Sequence, residues 1–463
     1  MASIDHLAAD TLDILVPCRR FFIKAQVTED RQLPIVDEFV LRLVKVAERI
    51  STERLRRYFG FRDSELQAVL LDLTASSLVS LDGGDVILTP TAMNLFQQAG
   101  PNGVPRLTSV EPWETDVWFD LVSRNMMRGV RYRPAANLLT LEEDAAARKL
   151  PEAFARQAFE TNFRDFAKRV RGHPNADRLA IYAVSEVVPA GFGYQTVTAE
   201  IQFSIRESVE FRLSFPGLQQ DPLRFSTLTS AVADRWSKLQ DPGSSAEGTA
   251  TYERLTGDDR PRTLQQSKDW RDWLPLLQSG AKAGRRPIFG ASYLPANAAA
   301  FCDVLYDRLK QAGSATNPIE VVWFRPGGDA WGRSNRVLDM LGEIRDTARR
   351  SGRALAETSL VVPRATPNAS RRSSRKTFDQ GILAPSGQLP ADLEVVLVPG
   401  LAACVVIHLP LGQRTLGIGT ILTDADALRR IERRVSRERQ DSSVLWGAEA
   451  SRVPMAQPAA EAI

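Results

Sequence analysis

The chain has 463 residues, 25% of them charged and 43% apolar, with a net charge of +3. That length allows roughly two to four domains with sizeable cores, and so small a net charge does not by itself argue for a polyanionic partner. The three cysteines, Cys18, Cys302 and Cys404, contain no C-x-x-C pair and leave an odd number. That argues against a disulfide framework and fits a reducing compartment.

The basic residues are unusual in kind, because 50 of the 59 are arginine. Arginine offers a planar fork suited to phosphate and carboxylate, although a GC-rich genome also enriches it. The first twenty residues lack a basic segment followed by a long apolar run, so no secretory signal is expected. No stretch approaches the roughly 18 apolar residues of a membrane span. The reading is a cytoplasmic, bacterial protein with no membrane partner.

In chain order, "LPIVDEFVLRLVKVAERI" places Ile35, Phe39, Leu43 and Val46 on one helical face. "STERLRRYFGF" follows, with Ser51 or Thr52 as cap and Gly60 as terminator. "RDSELQAVLLDLTASSLV" starts at Asp63 and carries Leu66, Val69, Leu70 and Leu73 inward. Next, in "SLDGGDVILTPTAMNLF", Asp82-Gly83-Gly84-Asp85 supplies the positive φ angles of a tight reversal. Val79 and Leu81 precede it, Val86 and Leu88 follow it, and Pro90 opens another helix.

Helix, short helix, helix and hairpin in this order resemble the winged-helix superfamily over residues 34–98. The resemblance implies that the hairpin is a wing covering the core of the three helices. It does not by itself imply DNA reading, because fold and function separate. The base-reading end of the third helix would be Asp63, Ser64 and Glu65, and the wing tip adds Asp82 and Asp85. Residues 1–100 carry 11 basic and 14 acidic side chains. Arg54, Arg56 and Arg57 on the short helix are the basic cluster of this module, so contact with a protein is expected before sequence-specific DNA binding.

Residues 101–240 read as a linker, then a helix with Phe154, Phe159, Phe163 and Phe166 near helical spacing, then an antiparallel hairpin. In that hairpin Val197, Ala199, Ile201, Phe203 and Ile205 alternate, and so do Val209, Phe211, Leu213 and Phe215. Residues 241–263, rich in Gly, Ser and Asp, read as a mobile linker and domain boundary. Residues 264–440 alternate strands and helices as an α/β domain, and residues 441–463 form a disordered tail. The expected fold is thus α+β and multidomain.

Metal and histidine chemistry is not supported. His6, His173 and His408 stand at no ligand spacing, and no G-x-S-x-G is present. His408 reads as a satisfied core histidine. In "VWFRPGGDAWGRSNRVLDML" a strand ends at Phe324 and a helix begins near Asn335. Between them Gly327, Gly332, Arg333 and Ser334 stand at P-loop spacing, with Arg in place of Lys. The position suits an anion at a helix N-terminus; a plain βα surface loop is the alternative. No apolar run ending in Asp follows to hold magnesium.

"VVIHLP" followed by "GIGTILTD" resembles the ββ end of a phospholipase D-like half. There H-x-K precedes G-S-x-N. Here His408 is followed by Leu409 and Pro410, and the Ser and Asn are missing. The resemblance implies the fold without the nuclease chemistry, unless another chain completes it.

The loop "RATPNASRRSSRKTF" carries Arg364, Arg371, Arg372, Arg375 and Lys376 with no acid among them, and it is the expected contact with DNA or RNA. The helix "RRIERRVSRER" adds six more arginines, with Glu432 and Glu438 available to pair with them. The expected function is a non-enzymatic accessory or recognition subunit of a bacterial nucleic-acid-handling system, such as genome defence or DNA maintenance. It would use no cofactor, dock a protein through its N-terminal module and touch nucleic acid through its C-terminal domain. The alternative is a transcriptional regulator that senses a phosphorylated metabolite or nucleotide through residues 327–334. A nuclease or NTPase lacks a residue set.

Overall fold

The computed structural model describes residues 6–99, 106–127, 138–143, 145–169, 172–204, 210–219, 222–243, 245–267, 283–313, 317–385, 389–411, 414–440 and 442–447. Among them are twelve α-helices and three sheets of mixed α/β, multidomain arrangement.

The first element is a long strand that the sequence reading missed, β1 (His6–Gln32). After it come α1 (Ile35–Ala47), β2 (Arg49–Ser51), α2 (Thr52–Phe59), α3 (Asp63–Ala75), β3 (Val79–Asp82), β4 (Asp85–Leu88) and α4 (Pro90–Ala99). Then β5 (Arg106–Asp120) returns antiparallel along β1, with Gln32 opposite Arg106. The helical module therefore sits at the tip of the β1–β5 ribbon, to which β8 adds a third strand as far as Glu29. Its small sheet has the order β2-β4-β3, and its core includes Val40, Leu41, Leu55, Leu66, Leu70, Val79 and Val86. Residues 1–100 are thus not one unit, since 6–32 belong to the ribbon.

On α1 the buried residues are Val40, Leu41 and Val44, whereas Ile35, Phe39 and Val46, on the face that the periodicity picks out, are 74%, 58% and 84% exposed. Apolar residues lie on both sides of this helix, and periodicity alone does not say which stripe is buried. In the hairpin Val79, Val86 and Leu88 are buried, but Leu81, next to the turn, is exposed.

The chain continues through β6 (Met126–Met127), β7 (Leu139–Thr140), α5 (Ala145–Arg148) and α6 (Glu152–Arg169). Next are β8 (Leu179–Ser204) and β9 (Glu210–Ser214), which pair antiparallel as expected. The expected residues Ile205 and Val209 lie outside the described residues. The sheet order is β6-β5-β1-β8-β9, with β7 also on β1. On β1, Leu12, Ile14 and Val16 face one core, and Phe21, Ile23, Ala25 and Val27 face another with α6. Even- and odd-numbered side chains of a strand point to opposite faces, so the two cores lie on opposite faces of this sheet. The β1–β8 register shift between Arg20 and Phe21 places its extra residue, Ala190, in β8.

Residues 222–237 form α7 (Pro222–Ser237). The expected linker at 241–263 is instead largely helical: α8 (Ala246–Thr256) and α9 (Arg260–Gln266). Its turn-forming residues act as helix ends. Ser245 Oγ accepts from Gly248 N at 2.9 Å, and Gly257 takes a left-handed φ of 68° at the C-cap. Tyr252, Leu255 and Leu264 fill the core beneath.

The C-terminal elements follow in the expected alternation. They are β10 (Arg285–Phe289), α10 (Pro295–Gln311), β11 (Ile319–Phe324), α11 (Arg336–Arg350), β12 (Leu355–Val362), β13 (Gln380–Leu383), β14 (Leu393–Val398), β15 (Ala402–Leu411), β16 (Arg414–Leu422), α12 (Ala425–Gln440) and β17 (Ser443–Trp446). The sheet order is β10-β16-β15-β14-β11-β12-β13-β17. β11, β12 and β13 run parallel, and β14, β15, β16 and β10 are antiparallel to their neighbours. One face packs on α10 and α11. The other packs on α7, α8, α9, α12 and the first half of β1 with the end of β8. Of the expected tail, residues 442–447 include β17, and the remainder lies outside the described residues.

The phenylalanine face of α6 is fully inside: Phe159, Phe163 and Phe166 are at most 2% exposed. Phe159→Ala should therefore lower stability by about 3–5 kcal/mol in urea denaturation. A loss below about 1 kcal/mol would mean that α6 does not close the ribbon's second core.

Candidate nucleic-acid interface and the polar layer beneath it

The βα loop between β11 and α11 is the centre of the C-terminal domain rather than a surface turn. Arg325, Gly327, Gly328, Trp331, Gly332, Ser334 and Asn335 are all buried. Four of its amides already have acceptors within the protein. Gly327 N donates to Ala391 O at 2.7 Å, and Asp329 N and Ala330 N donate to Gln240 O at 2.9 and 3.1 Å. Gly332 N donates to the Tyr293 hydroxyl at 3.2 Å.

The N-terminus of α11 holds a carboxylate from β1. Asp13 Oδ2 accepts from Asn335 N at 2.7 Å and Ser334 Oγ at 3.0 Å, while Oδ1 accepts from Thr198 Oγ1 at 2.5 Å. Asp13 N also donates to Arg333 O at 2.8 Å. A helix N-terminus attracts negative charge, and here the chain supplies it. An external anion at Ser334 would have to displace Asp13.

Arg333 lies along this loop, mostly buried. Its Nε donates to Asp329 O at 2.6 Å and its Nη2 to Ser370 Oγ at 3.3 Å. Burial pushes its guanidinium below the usual value. Arg325 is 1% exposed, donates to Pro326 O and Gly328 O at 3.2 and 3.0 Å, and lies 5.0 Å from the centre of the Trp331 ring. Burial first, and the neighbouring Arg333 second, push Arg325 down to about 9. It thus stays cationic at neutral pH.

Ser370 joins this loop to the basic loop after β12. Arg364, Arg372, Arg375 and Lys376 are exposed there, and Arg371 is half-buried. Arg371 works for the loop itself: Nε donates to Thr366 O at 3.1 Å and Nη2 to Arg364 O at 2.9 Å. Arg364 Nε reaches Ala384 O at 3.3 Å. Among the described residues no carboxylate forms an ion pair with Arg364, Arg372, Arg375 or Lys376. Ser370, Ser374 and Phe378 are buried under the loop and seat it on the sheet.

The other basic clusters are partly neutralised within the chain. Arg56 and Arg57 both bridge Glu53, at 3.0 and 2.9 Å, and Arg56 also approaches Asp63 at 3.4 Å. Arg54 is exposed. On α12, Arg429 pairs with Asp426, Arg434 with Glu438 at 3.6 Å, and Arg439 with Glu320 at 3.8 Å. Glu432 does not pair with an arginine as expected; its Oε1 accepts from Gly400 N at 2.6 Å.

Beneath the loop lies a polar layer that the sequence reading largely missed. Glu394 is fully buried on β14. Its Oε1 accepts from Ser292 Oγ at 2.6 Å and Trp323 Nε1 at 3.0 Å, and Oε2 meets His408 Nε2 at 3.2 Å. Asp10 lines a cavity of about 40 Å³ together with Trp236, Trp331, His408 and Arg414, enough for a water or two. Burial pushes Asp10 up to about 7, against the opposing Thr11 amide and Tyr293 hydroxyl. His408 thus has a buried carboxylate partner, as a core histidine requires, with Leu409 and Pro410 after it. No group of three or more metal-ligating side chains is found among the described residues, and no helix among them is long and apolar enough to cross a membrane.

No family model matches the chain, and no curated protein matches it. Two solved structures are similar to it in part. One is Nuc, a phospholipase D family member from Salmonella typhimurium, with a TM-score of 0.22 and 6% identity over 35% of this chain and 98% of that one. The other is TrmBL2, an archaeal chromatin protein described as showing a novel mode of DNA binding. It has a TM-score of 0.20 and 10% identity over 52% of this chain and 76% of that one. The functional reading rests on this chain's own residues.

Two outcomes are expected at this site. Asp13→Ala orphans buried donors at Asn335 and Ser334 and should lower stability by about 1–3 kcal/mol for each donor left without water. Asp10 binds its proton more tightly folded than unfolded, so the parent loses stability as pH rises from about 4 to 7 and no further above it. Asp10→Asn should accordingly gain on the parent over that interval in denaturation curves, and the gap should be constant above pH 7. A gap independent of pH would show that Asp10 is not held protonated.

Proposed function

We propose that the protein is a non-enzymatic recognition subunit that contacts nucleic acid through the loop at residues 364–376. The observation that carries this reading is electrostatic. Across the molecule, arginines are mostly met by a carboxylate or carbonyl of the chain. At Arg372, Arg375 and Lys376 the cations are exposed and no ion-pair partner is found among the described residues. The loop stands on buried Ser370 and Ser374, so the charges are presented from a fixed base. A polyanion that brings its own negative charges is the partner this arrangement suits, and released counterions drive the association. Backbone contacts of this kind position a duplex or strand without reading its sequence.

In this reading the N-terminal module is a winged helix that contacts a protein. Arg56 and Arg57 are tied to Glu53, and exposed Asp63 and Glu65 head the helix that would enter a groove. A bacterial nucleic-acid-handling system, in genome defence or DNA maintenance, is the setting that joins the two activities. A second reading, sensing of a phosphorylated metabolite or nucleotide at Gly327, Gly332, Arg333 and Ser334, is favoured by one feature. An anion that displaced Asp13 from Asn335 N would loosen the tie between β1 and α11, so binding there would be felt by the ribbon.

Fluorescence anisotropy with DNA and RNA across a salt series tests the first reading. Binding should be tight near 50 mM salt and fall log-linearly, and replacing Arg372, Arg375 and Lys376 by Ala should reduce the slope by about 2 to 3. Absence of binding at low salt, or an unchanged slope in the triple variant, would refute it. A nucleotide that raises the melting temperature of the parent but not of Arg333→Ala would favour the sensor instead.

A further inference from the structure

We infer that α1 is a self-association surface, on which the outward face pairs antiparallel with α1 of a second copy of this chain. Most surface helices bury one apolar stripe and present polar residues on the other side. α1 does not. Val40, Leu41 and Val44 are fully buried in the module, while Ile35, Phe39 and Val46, on the opposite side, are 74%, 58% and 84% exposed. Val36 adds to the open side at 43%, and Leu43 is half-buried at its border. Ile35, Phe39 and Val46 lie within about 40° of one another on a wheel of 3.6 residues per turn, so they form one continuous stripe. Single exposed apolar residues are ordinary, but a contiguous stripe marks a contact.

The charges beside the stripe select the occupant. They run from acidic at the N-terminal end, Glu38, to basic at the C-terminal end, Arg42 and Lys45. Glu38 and Arg42 are already linked along the helix at 2.8 Å. An antiparallel partner with the same sequence sets its basic end beside the acidic end and its acidic end beside the basic one. A parallel partner would set like against like. Antiparallel helices also oppose their dipoles favourably. A patch that complements itself about a two-fold axis gives a closed dimer, not a chain of copies. In this register Ile35 of one copy faces Val46 of the other, and Phe39 faces the stem of Arg42. The stripe is smaller than a standard interface of about 1,600 Å², so a micromolar dimer is expected. This inference is independent of the nucleic-acid reading, because the basic loop lies on the C-terminal sheet.

Sedimentation velocity of the full chain over roughly 1 to 100 µM should show a monomer–dimer equilibrium. Phe39→Asp, at an exposed position, should weaken it at least tenfold with an unchanged circular dichroism spectrum. Orientation is read by cysteine cross-linking, with little background because Cys18, Cys302 and Cys404 are buried. Ile35→Cys mixed with Val46→Cys should form a disulfide-linked pair under mild oxidation. Each variant alone should not, because its two thiols would lie about 17 Å apart along the antiparallel helices. A parent that stays monomeric at the highest concentration overturns the proposal, and the surface then belongs to a different protein. Linkage within Val46→Cys alone overturns it as well, by requiring a parallel pair.

Discussion

β1 is the constraint on which the rest of the structure depends. β8 pairs with it from His6 to Glu29, and β5 pairs with its second half, from Cys18 to Gln32. Its register therefore fixes what both neighbours bury. The alternation of side chains lets one continuous strand serve two cores. Leu12, Ile14 and Val16 pack on one face toward the C-terminal sheet, and Phe21, Ile23 and Val27 pack on the other under α6. The C-terminal domain is bound to the same strand from the other side, through Asp13 on the N-terminus of α11 and through Ala9 O, which accepts from Ala291 N at 2.8 Å.

The same economy governs the buried charges. Arg224 and Asp120 meet at 2.6 Å with almost no exposure, and Gln195 takes a further hydrogen bond from the guanidinium at 2.7 Å. Arg260 and Asp258 meet at 2.6 Å, and Thr420, Tyr252 and Gly419 O complete that network. Buried pairs of this kind add little net stability relative to apolar packing, but breaking one side leaves a desolvated charge. Their effect is to fix position: Arg224 holds α7 to the ribbon, and Arg260 holds α9 to β16. Arg325 is the exception, a buried cation met by carbonyls and an aromatic ring. It sits where β11 ends, and its carbonyl partners belong to the loop that must keep its shape for Asp13 to dock.

Much of the C-terminal domain was legible because its strands are short apolar runs separated by turn residues. "IEVVWF", "LEVVLV" and "CVVIHL" admit little else, and the helices between them have clear ends. β1 was not legible. Pro17, the Arg19-Arg20 pair and the change of phase break its alternation into two fragments, neither long enough to read as a strand of 27 residues. Residues 241–263 misled in the opposite way, because Ser245 and Gly257 are cap residues and the apolar signal is limited to Tyr252 and Leu255. The candidate site was legible only on its surface. The basic loop stands out by composition, whereas Asp13 and Asp10 contribute through tertiary contacts hundreds of residues away in sequence. A lone Asp in an apolar strand is the signal that could have found them: a carboxylate at such a position must have a partner elsewhere.

The surroundings of His408 show why a histidine on an apolar strand is not by itself a sign of chemistry. Its Nε2 faces Glu394 Oε2, and the other oxygen of that carboxylate is taken by the Ser292 hydroxyl and the Trp323 N–H. Trp323 can only donate, so Glu394 is the acceptor around which donors from α10's approach loop, β11 and β15 converge. Those three segments come from different parts of the chain, and the carboxylate ties them together in the layer that also carries Tyr293 and Gly332. A phosphodiester at this position would need a cation beside the histidine to balance it. The residue two places on is Pro410, and the nearest lining arginine, Arg414, is committed to Asp241 at 3.1 Å and stacked on Trp236. The layer ties the loop above it to β14, β15 and β11, while the cations of Arg372, Arg375 and Lys376 stand exposed outside it.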